Sequence, residues 1–222
     1  MLLSEYPTLS DYMHRAPGYI IFVLVLAGTA LAPPVPIPLS QQPVPTGTSA
    51  RTVLIFLPQQ LFSGEEFEPA LAQLTRAGLQ TRIAAMNTGI ASSLDQVLVN
   101  TDITLRDAGV SDYAGLVLVG GSGAALYWDD SLVQAKCREF ADNGKVVAAI
   151  GIAPVTLARA GVLKGHTAAV FHDRDAINWL KQGGARFSFK NLVIDRNIIT
   201  AATDDQARAF GKAVASAVLE TR

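Results

Sequence analysis

Three short segments of this chain carry residues whose type and spacing could support chemistry. Glu65 and Glu66 begin a predicted helix, the glycine-rich loop 120–123 follows one apolar strand, and Gly151 follows another. A carboxyl group buried at the ends of strands can have a raised pKa and act as a general acid or base. Acids in the first turn of a helix are also favoured by the helix dipole alone, so Glu66 keeps both interpretations.

The glycine loop comprises Gly120, Gly121, Ser122 and Gly123. Strands often end in glycine, and the loop lacks the spacing of a phosphate-binding fingerprint. It therefore predicts a loop at the edge of a ligand pocket without specifying a ligand.

Cys137 is the single cysteine of the 222 residues, so it cannot form a disulfide within the chain. It shares a predicted helical face with Val133, Phe140 and Ala141, which indicates a small buried apolar side chain. We expect it to be unreactive.

The three histidines are too far apart in the sequence to suggest a metal site, so we expect no metal and no cofactor. Eighteen basic and nineteen acidic residues give a net charge of −1, and neither sign is concentrated in one block. Nucleic acid is therefore not an expected partner.

Strands and helices alternate along residues 51–222. The apolar run 52–57 predicts a strand buried on both faces, and strands at 80–85, 115–119 and 146–150 follow. The predicted helices span about 65–77, 131–143 and 154–160, and an irregular or hairpin stretch reaches residue 105. This alternation predicts an α/β fold with a mainly parallel sheet, helices on both faces, and ligands at the carboxyl ends of strands.

The end of the chain predicts a hairpin and a final helix. Two apolar runs, 192–194 and 198–202, are separated by the turn-forming sequence Asp-Arg-Asn. Thr203 with Gln206 three residues later predicts a capping box that starts a helix through about Leu219.

Residues 1–50 differ from the rest of the chain. Residues 16–32 are seventeen uncharged, largely apolar residues, near the lower limit for crossing a bilayer of about 30 Å. Cleavage after Ala32 would suit a signal peptide, but Pro33 follows at once, so we favour an uncleaved anchor. The proline-rich segment 33–50 predicts an extended linker. Positive charge only before the apolar segment favours a domain outside the cytoplasm.

Several segments of the domain resemble the DJ-1/PfpI family. Residues 145–171 (KVVAAIGIAPVTLARAGVLKGHTAAVF) resemble the family segment Ala-Ile-Cys-x-x-Pro followed by Ala-Gly-Leu-Leu-Lys-Gly. Residues 62–78, 112–124 and 192–201 resemble its acidic first helix, its glycine loop and its late hairpin. The resemblance implies a flavodoxin-like three-layer sandwich and a homodimer or higher homo-oligomer. It also implies kinship with proteases, glyoxalase or deglycase enzymes and stress-response proteins.

The resemblance assigns roles to individual positions. It places Gly151 at the nucleophilic cysteine of the family, Glu66 at the glutamate beside that cysteine, and the amides of Gly121 and Ile152 at the oxyanion donors. Gly120 and Ser122 belong to the pocket loop. A glycine fits the strained turn of a nucleophile elbow but brings no thiol, so we expect no covalent catalysis.

Three functions stay open at this point. The first is a noncatalytic domain, tethered or exported, with a ligand-binding or interaction role, whose ligand would be a small carbonyl compound or another small molecule. The second is a thiol-independent enzyme of the glyoxalase, deglycase or hydratase type that uses Glu66 and a water molecule. The third is an interaction or stress-protective module without a pocket function.

The composition of the first fifty residues leads to a first testable prediction. The full chain should fractionate with membranes, and the chain without residues 1–50 should stay in the soluble fraction, because only the full chain carries the apolar segment. Immunoblots of both fractions measure this. Recovery of the intact full chain entirely in the cytosol would contradict the anchor.

Overall fold

The computed structural model describes residues 51–221. The predicted anchor at 16–32 and the linker at 33–50 lie outside this range, so both stay predictions. No helix within residues 51–221 has the length and apolar character needed to cross a bilayer.

The described chain contains twelve strands. In chain order they are β1 (Thr52–Phe56), β2 (Gln60–Phe62), β3 (Gln80–Ala85), β4 (Gly89–Ser93), β5 (Leu98–Thr101), β6 (Ile103–Thr104), β7 (Gly115–Leu118), β8 (Val146–Ile150), β9 (Thr167–Ala168), β10 (Arg186–Phe187), β11 (Leu192–Asp195) and β12 (Ile198–Ala201).

Seven of these strands form the central sheet, in the order β11-β12-β8-β7-β1-β3-β6. All neighbouring pairs are parallel except β11 and β12, which form an antiparallel hairpin. Every residue of β7, β8 and β12 is buried, as expected for strands covered on both faces. The predicted sheet and the predicted late hairpin are both confirmed.

Five helices cover the sheet. They are α1 (Gly64–Arg76), α2 (Ser131–Asp142), α3 (Pro154–Arg159), α4 (Arg174–Gln182) and α5 (Ala207–Glu220).

The helices α1 and α5 pack together on one face of the sheet. Phe67 and Leu74 of α1 and Phe210 of α5 belong to the same apolar cluster as Val53 and Ile55 of β1. The helices α2, α3 and α4 cover the other face, where their apolar side chains meet Leu54 and Phe56 in a second cluster. This arrangement is the flavodoxin-like three-layer sandwich that the resemblance implied.

Two sequence predictions need correction. The capping box at the start of the last helix is wrong, because Thr203 makes no side-chain bond to a helix amide and a 3-10 helix at Asp204–Gln206 precedes α5. The Thr203 hydroxyl instead bonds to the carboxylate of Asp205. The sequence pattern also predicts no helix at Arg174–Gln182, where the structure forms α4. Asp173 caps this helix by accepting hydrogen bonds from two backbone amides.

The strands β4 and β5, in the stretch before residue 105, form a separate sheet with β2, in the order β2-β4-β5. The hairpin β4-β5 is antiparallel, and it confirms the hairpin alternative for this stretch. Ala91 and Ser93 of β4 are buried, while Ile90 is exposed.

The contact between α1 and α5 depends on Gly211. A Cβ atom at this position would lie 2.6 Å from the carbonyl oxygen of Ala70 and 2.8 Å from the Ala70 Cα. Glycine therefore lets two helix backbones approach closely, although it weakens the helix that carries it.

This contact generates the second prediction. Gly211→Ala should lower the free energy of unfolding by about 1–3 kcal/mol, because overpacking outweighs the gain of about 1 kcal/mol in helix propensity. Urea denaturation measures the change. Arg208→Ala, at an exposed position on the same helix, is the control and should stay within about 0.5 kcal/mol of the wild type. A more stable Gly211→Ala variant would contradict the close contact.

Candidate functional site

The candidate site lies where three elements end at the same edge of the sheet. The loop after β7 carries Gly120 and Gly121, the turn after β8 carries Gly151 and Ile152, and the first turn of α1 carries Glu66. Because β7 and β8 are parallel neighbours, their carboxyl ends meet at this edge. The structure therefore brings the sequence-predicted residues together.

Glu66 connects α1 to the loop after β7. Its backbone amide donates to the Ser63 hydroxyl at 3.2 Å, which makes Ser63 the N-cap of α1. In a capping box the glutamate side chain would turn back to the amide of Ser63. Here the amide of Ser63 donates to the carbonyl of Gly120 at 3.2 Å, and Glu66 Oε2 accepts a hydrogen bond from the amide of Gly120 at 2.8 Å.

The carboxyl group of Glu66 is buried, and only 7% of the residue is exposed. Burial raises its pKa from 4.5 to about 7, the hydrogen bond from Gly120 lowers it in part, and the negative charge of Asp204 raises it further. A surface acid that only complements the helix dipole would not be buried in this way. Glu66 is therefore not a surface acid, and its role as a general acid or base stays a prediction.

Gly151 forms a sharp turn between β8 and α3. Its φ of +67° lies in the left-handed region, where a residue with a Cβ is strained. Its amide donates to Ala201 of β12 at 3.0 Å, and its carbonyl accepts from the amide of Phe171 at 2.8 Å. The turn is therefore held from two sides by backbone hydrogen bonds.

The Glu66 carboxyl occupies the space that side chains at both glycines would need. A Cβ atom at Gly120 would lie 2.6 Å from Glu66 Oε2, and a Cβ at Gly151 would overlap Glu66 Oε1. The carboxyl consequently lies directly over the two turns, between α1 and the sheet.

The amides of Gly121 and Ile152 have no hydrogen-bond acceptor among residues 51–221. Gly121 has a φ of +91°, and its backbone approaches that of Phe62 and Ser63 too closely to admit a Cβ. Free backbone amides beside a strand-to-helix turn can receive an anion or the oxygen of a polarised carbonyl.

The remaining predicted positions fall outside this cluster of groups. Ser122 is exposed at the start of the 3-10 helix Ser122–Tyr127. Cys137 is fully buried on α2, which confirms its predicted burial, and burial raises the pKa of its thiol to about 12. Within the described residues, no three side chains of the metal-binding types gather into a site.

Sequence reasoning missed three contributors to the site. They are Ser63, which caps α1, Asp204, whose charge acts on Glu66, and Phe171, whose amide binds the Gly151 carbonyl. Ser63 could have been found, because Ser-x-x-Glu before an apolar helix is a capping signature. The other two lie far from Glu66 and Gly151 in the sequence, and no local pattern identifies them.

Comparison with known proteins gives consistent matches across the described domain. The model of the DJ-1/PfpI family matches residues 51–217. An uncharacterised protein of Methanocaldococcus jannaschii is 34% identical over 171 residues, which cover 77% of this chain and 83% of the relative. The protein/nucleic acid deglycase 2 of Escherichia coli is 24% identical over 154 residues, 68% of this chain and 88% of that protein.

The fold has equally clear counterparts. The crystal structure of a ThiJ/PfpI domain protein from Brachyspira murdochii superposes with a TM-score of 0.75 and 26% sequence identity. The alignment covers 78% of this chain and 98% of that one. With the family model matching most of the chain, this protein belongs to the DJ-1/PfpI family.

Proposed function

We propose that this protein is a noncatalytic DJ-1/PfpI domain that binds a small carbonyl compound or a related anionic ligand. The observation that carries the proposal is the combination of a protonatable, buried Glu66 with a glycine at the turn beside it. In this proposal Gly151 stands at the position of the family cysteine, as the segment 145–171 indicates.

Without a thiol at residue 151, covalent chemistry has no nucleophile at the turn. Loss of a nucleophile in a serine protease lowers turnover by about a million-fold, while donors and binding alone retain about a thousand-fold over water. Cys137 does not replace it, because its thiol is buried within α2. Ligand binding is therefore better supported than turnover.

The groups that would bind a ligand are present in the described structure. The amides of Gly121 and Ile152, which have no acceptor in the described part of the chain, can donate to a carbonyl or carboxylate oxygen. With a pKa of about 7, the Glu66 carboxyl holds its proton in mildly acidic solution and can then donate a further hydrogen bond. A small ligand with one polarised oxygen fits this set of donors.

A thiol-independent enzyme is the second candidate, and the raised pKa of Glu66 favours it. A carboxyl that titrates near neutral pH can move a proton to or from a bound carbonyl compound or a water molecule. One relative is named a deglycase, which gives this class of substrate a precedent in the family. If the experiments below contradict both candidates, an interaction module without a ligand remains as the third function.

We also propose self-association through the three-stranded sheet, as the family resemblance implies. Ile90 and Leu98 project from the same face of β4-β5, and they are 58% and 67% exposed. Leu94, directly after β4, and Leu61 of the neighbouring strand β2 are exposed as well. Exposed apolar residues grouped in this way are typical of interfaces between proteins.

The proposed location of the domain rests on the composition of residues 1–50. We propose an anchor at 16–32, a linker at 33–50 and a domain at 51–222 that lies outside the cytoplasm. Export after cleavage is the alternative, and it would place the same domain in the same compartment.

The third prediction concerns the proton on Glu66. Its folded pKa of about 7 lies above the ordinary 4.5, so the folded state binds more protons between these values and loses stability as the pH rises through them. A shift of this size corresponds to about 3 kcal/mol. Glu66→Gln should therefore match the wild type near pH 4.5 and exceed its stability by about 3 kcal/mol above pH 7.

Urea denaturation across this pH range tests the third prediction. Glu68→Gln removes an exposed carboxyl from the same helix and is the control. Parallel pH profiles for wild type and Glu66→Gln would contradict a protonated Glu66.

The fourth prediction concerns Gly151→Cys. The variant should fold with a loss of about 1–2 kcal/mol, because a Cβ is strained at this positive φ and the Glu66 carboxyl must turn aside. The new thiol would lie beside free amides and the start of α3, so its pKa should fall below that of an ordinary cysteine. It should react with iodoacetamide while Cys137 does not.

The control for the fourth prediction is Gly165→Cys. Gly165 has a similar φ of +77° and open space around its Cβ position, so backbone strain is matched while the amide site is missing. The pH dependence of alkylation, followed by mass spectrometry, gives the pKa of each new thiol. A value at residue 151 equal to or above that at residue 165 would show that the amide site has been lost.

Activity assays on the same proteins separate the two candidate functions. Wild type and Gly151→Cys are tested with small dicarbonyl compounds for glyoxalase, deglycase and hydratase activity. Wild-type turnover that Glu66→Gln abolishes would replace the noncatalytic proposal with the thiol-independent enzyme.

A further inference from the structure

An aromatic surface begins at the turn that follows β8. It consists of Phe171 and His172, which follow β9, and of Phe187 and Phe189, at the end of β10 and just after it. We call these four residues the aromatic patch. The amide of Phe171 donates to the carbonyl of Gly151 at 2.8 Å, so the patch adjoins the candidate site directly.

Three rings of the patch pack against one another edge to face. The ring centroid of Phe187 lies 4.9 Å from that of Phe189, and the centroid of His172 lies 6.0 Å and 6.2 Å from these two. The amide of Ser188 donates to the carbonyl of Ala168 at 2.9 Å, which ties the chain between the two phenylalanines to β9. A ligand therefore meets rings in a defined arrangement, and this reduces the entropy that binding costs.

The patch is open to solvent. Phe189 is 81% exposed, more than any other large apolar side chain within residues 51–221, and Phe171 is 48% exposed. His172 is exposed as well. Single apolar residues at a surface are common, whereas a group of them beside a candidate site is typical of a binding surface.

The patch lies within reach of the amide of Ile152. The carbonyl of Gly151 and this amide belong to one peptide group, in which oxygen and nitrogen are about 2.3 Å apart. The nitrogen of Phe171 therefore lies within about 5 Å of the nitrogen of Ile152. A ligand whose oxygen accepts from the Ile152 amide can place the group on its carbonyl carbon next to Phe171.

The donors of the site define the polar end of such a ligand. The amides of Gly121 and Ile152 have no acceptor within residues 51–221, and Glu66 can donate a third hydrogen bond when it holds its proton. A 2-oxo acid carries a carbonyl oxygen next to a carboxylate. It therefore offers neighbouring acceptors to these three donors.

We propose that the ligand of the site is an aromatic 2-oxo acid, whose oxygens bind at the amides and whose ring packs against the aromatic patch. This inference rests on the proposed function and narrows it to one class of ligand. Aromatic rings gain from edge-to-face and offset-stacked contacts with other rings, so a phenyl group is favoured on this surface over an alkyl group of similar size. Phe171 and Phe189 then determine the specificity for the ring.

Isothermal titration calorimetry on the full chain tests the ligand class with three acids. Benzoylformate, pyruvate and cyclohexylglyoxylate share the 2-oxo acid group and carry a phenyl, a methyl and a cyclohexyl group. Benzoylformate should bind at least about ten-fold more tightly than pyruvate, because more apolar surface leaves water. It should bind about two- to ten-fold more tightly than cyclohexylglyoxylate, because only the phenyl group makes contacts between aromatic rings.

Variants of the patch test its contribution. Phe171→Ala and Phe189→Ala should each weaken benzoylformate binding by about ten-fold and change pyruvate binding by less than about two-fold. Phe171→Ala keeps the backbone amide that supports Gly151. Phe189→Tyr keeps a ring and should retain the wild-type affinity. Ile194→Ala, which shortens a 59% exposed side chain on β11, is the matched control and should change neither affinity.

Blocking the turn tests whether the ring and the oxygens occupy one site. Alkylation of Gly151→Cys with iodoacetamide places a carboxamidomethyl group over the turn, and it should abolish benzoylformate binding. Gly165→Cys alkylated in the same way is the control and should bind benzoylformate as the wild type does.

Four results would overturn the inference, and they differ in what they say about the proposed function. Equal affinity for benzoylformate and pyruvate, both lost on alkylation at residue 151, would leave the proposed function standing. Equal affinity for the phenyl and cyclohexyl acids would replace the aromatic class with a general apolar one. Benzoylformate binding that survives alkylation at residue 151 would show a separate aromatic site. No binding of any of the three acids would contradict the proposed function itself.

Discussion

The hydrogen bond between the Glu66 carboxyl and the amide of Gly120 connects the parts of this protein that define its site. It joins the first turn of α1 to the loop after β7, across 54 positions of sequence. The carboxyl reaches this amide because Ser63 caps the helix and binds the carbonyl of Gly120 through its own amide. The helix and the loop are thus held together by two hydrogen bonds, and the carboxyl is enclosed between them.

This enclosure has a chemical consequence. Ionisation of the buried Glu66 carboxyl is disfavoured by its desolvation and favoured by the hydrogen bond from Gly120. Desolvation is the larger effect, so the pKa of Glu66 rises to about 7. The glycines at 120 and 151 make the enclosure possible, because a side chain at either position would collide with the carboxyl. The same two glycines therefore leave room for the carboxyl in the position where burial raises its pKa.

The scaffold around the site depends on close approach of backbones as well. The contact of α5 with α1 at Gly211 brings the acidic segment before α5, with Asp204, to the helix that carries Glu66. The outer face of α5 is different in character, since its alanines leave a groove where the inner face packs tightly. One helix thus supports the site on its inner side, while its outer side is exposed.

The alternation of apolar strands and amphipathic helices was sufficient to predict the α/β class, the central strands and the late hairpin. Buried parallel strands such as β7 and β8 are continuous apolar runs, so they can be recognised from the sequence alone. The buried state of Cys137 was predictable for the same reason, since its helical neighbours are apolar. The choice of Gly151 and Glu66 as site positions also came from the sequence, through motifs that are local.

Tertiary structure decided the rest. The sequence offered two interpretations of Glu66, and only the distance between its carboxyl and Gly120 shows that it turns into the site and is buried there. The amides of Gly121 and Ile152, which have no acceptor within residues 51–221, come from segments far apart in the chain, as do the charge of Asp204 and the support from Phe171. The capping signal at Thr203 failed because the chain forms a 3-10 helix at Asp204–Gln206, and the Thr203 hydroxyl accepts no bond from its amides. Hydrogen bonds and burial depend on which segments meet in space, and a local sequence pattern does not contain that information.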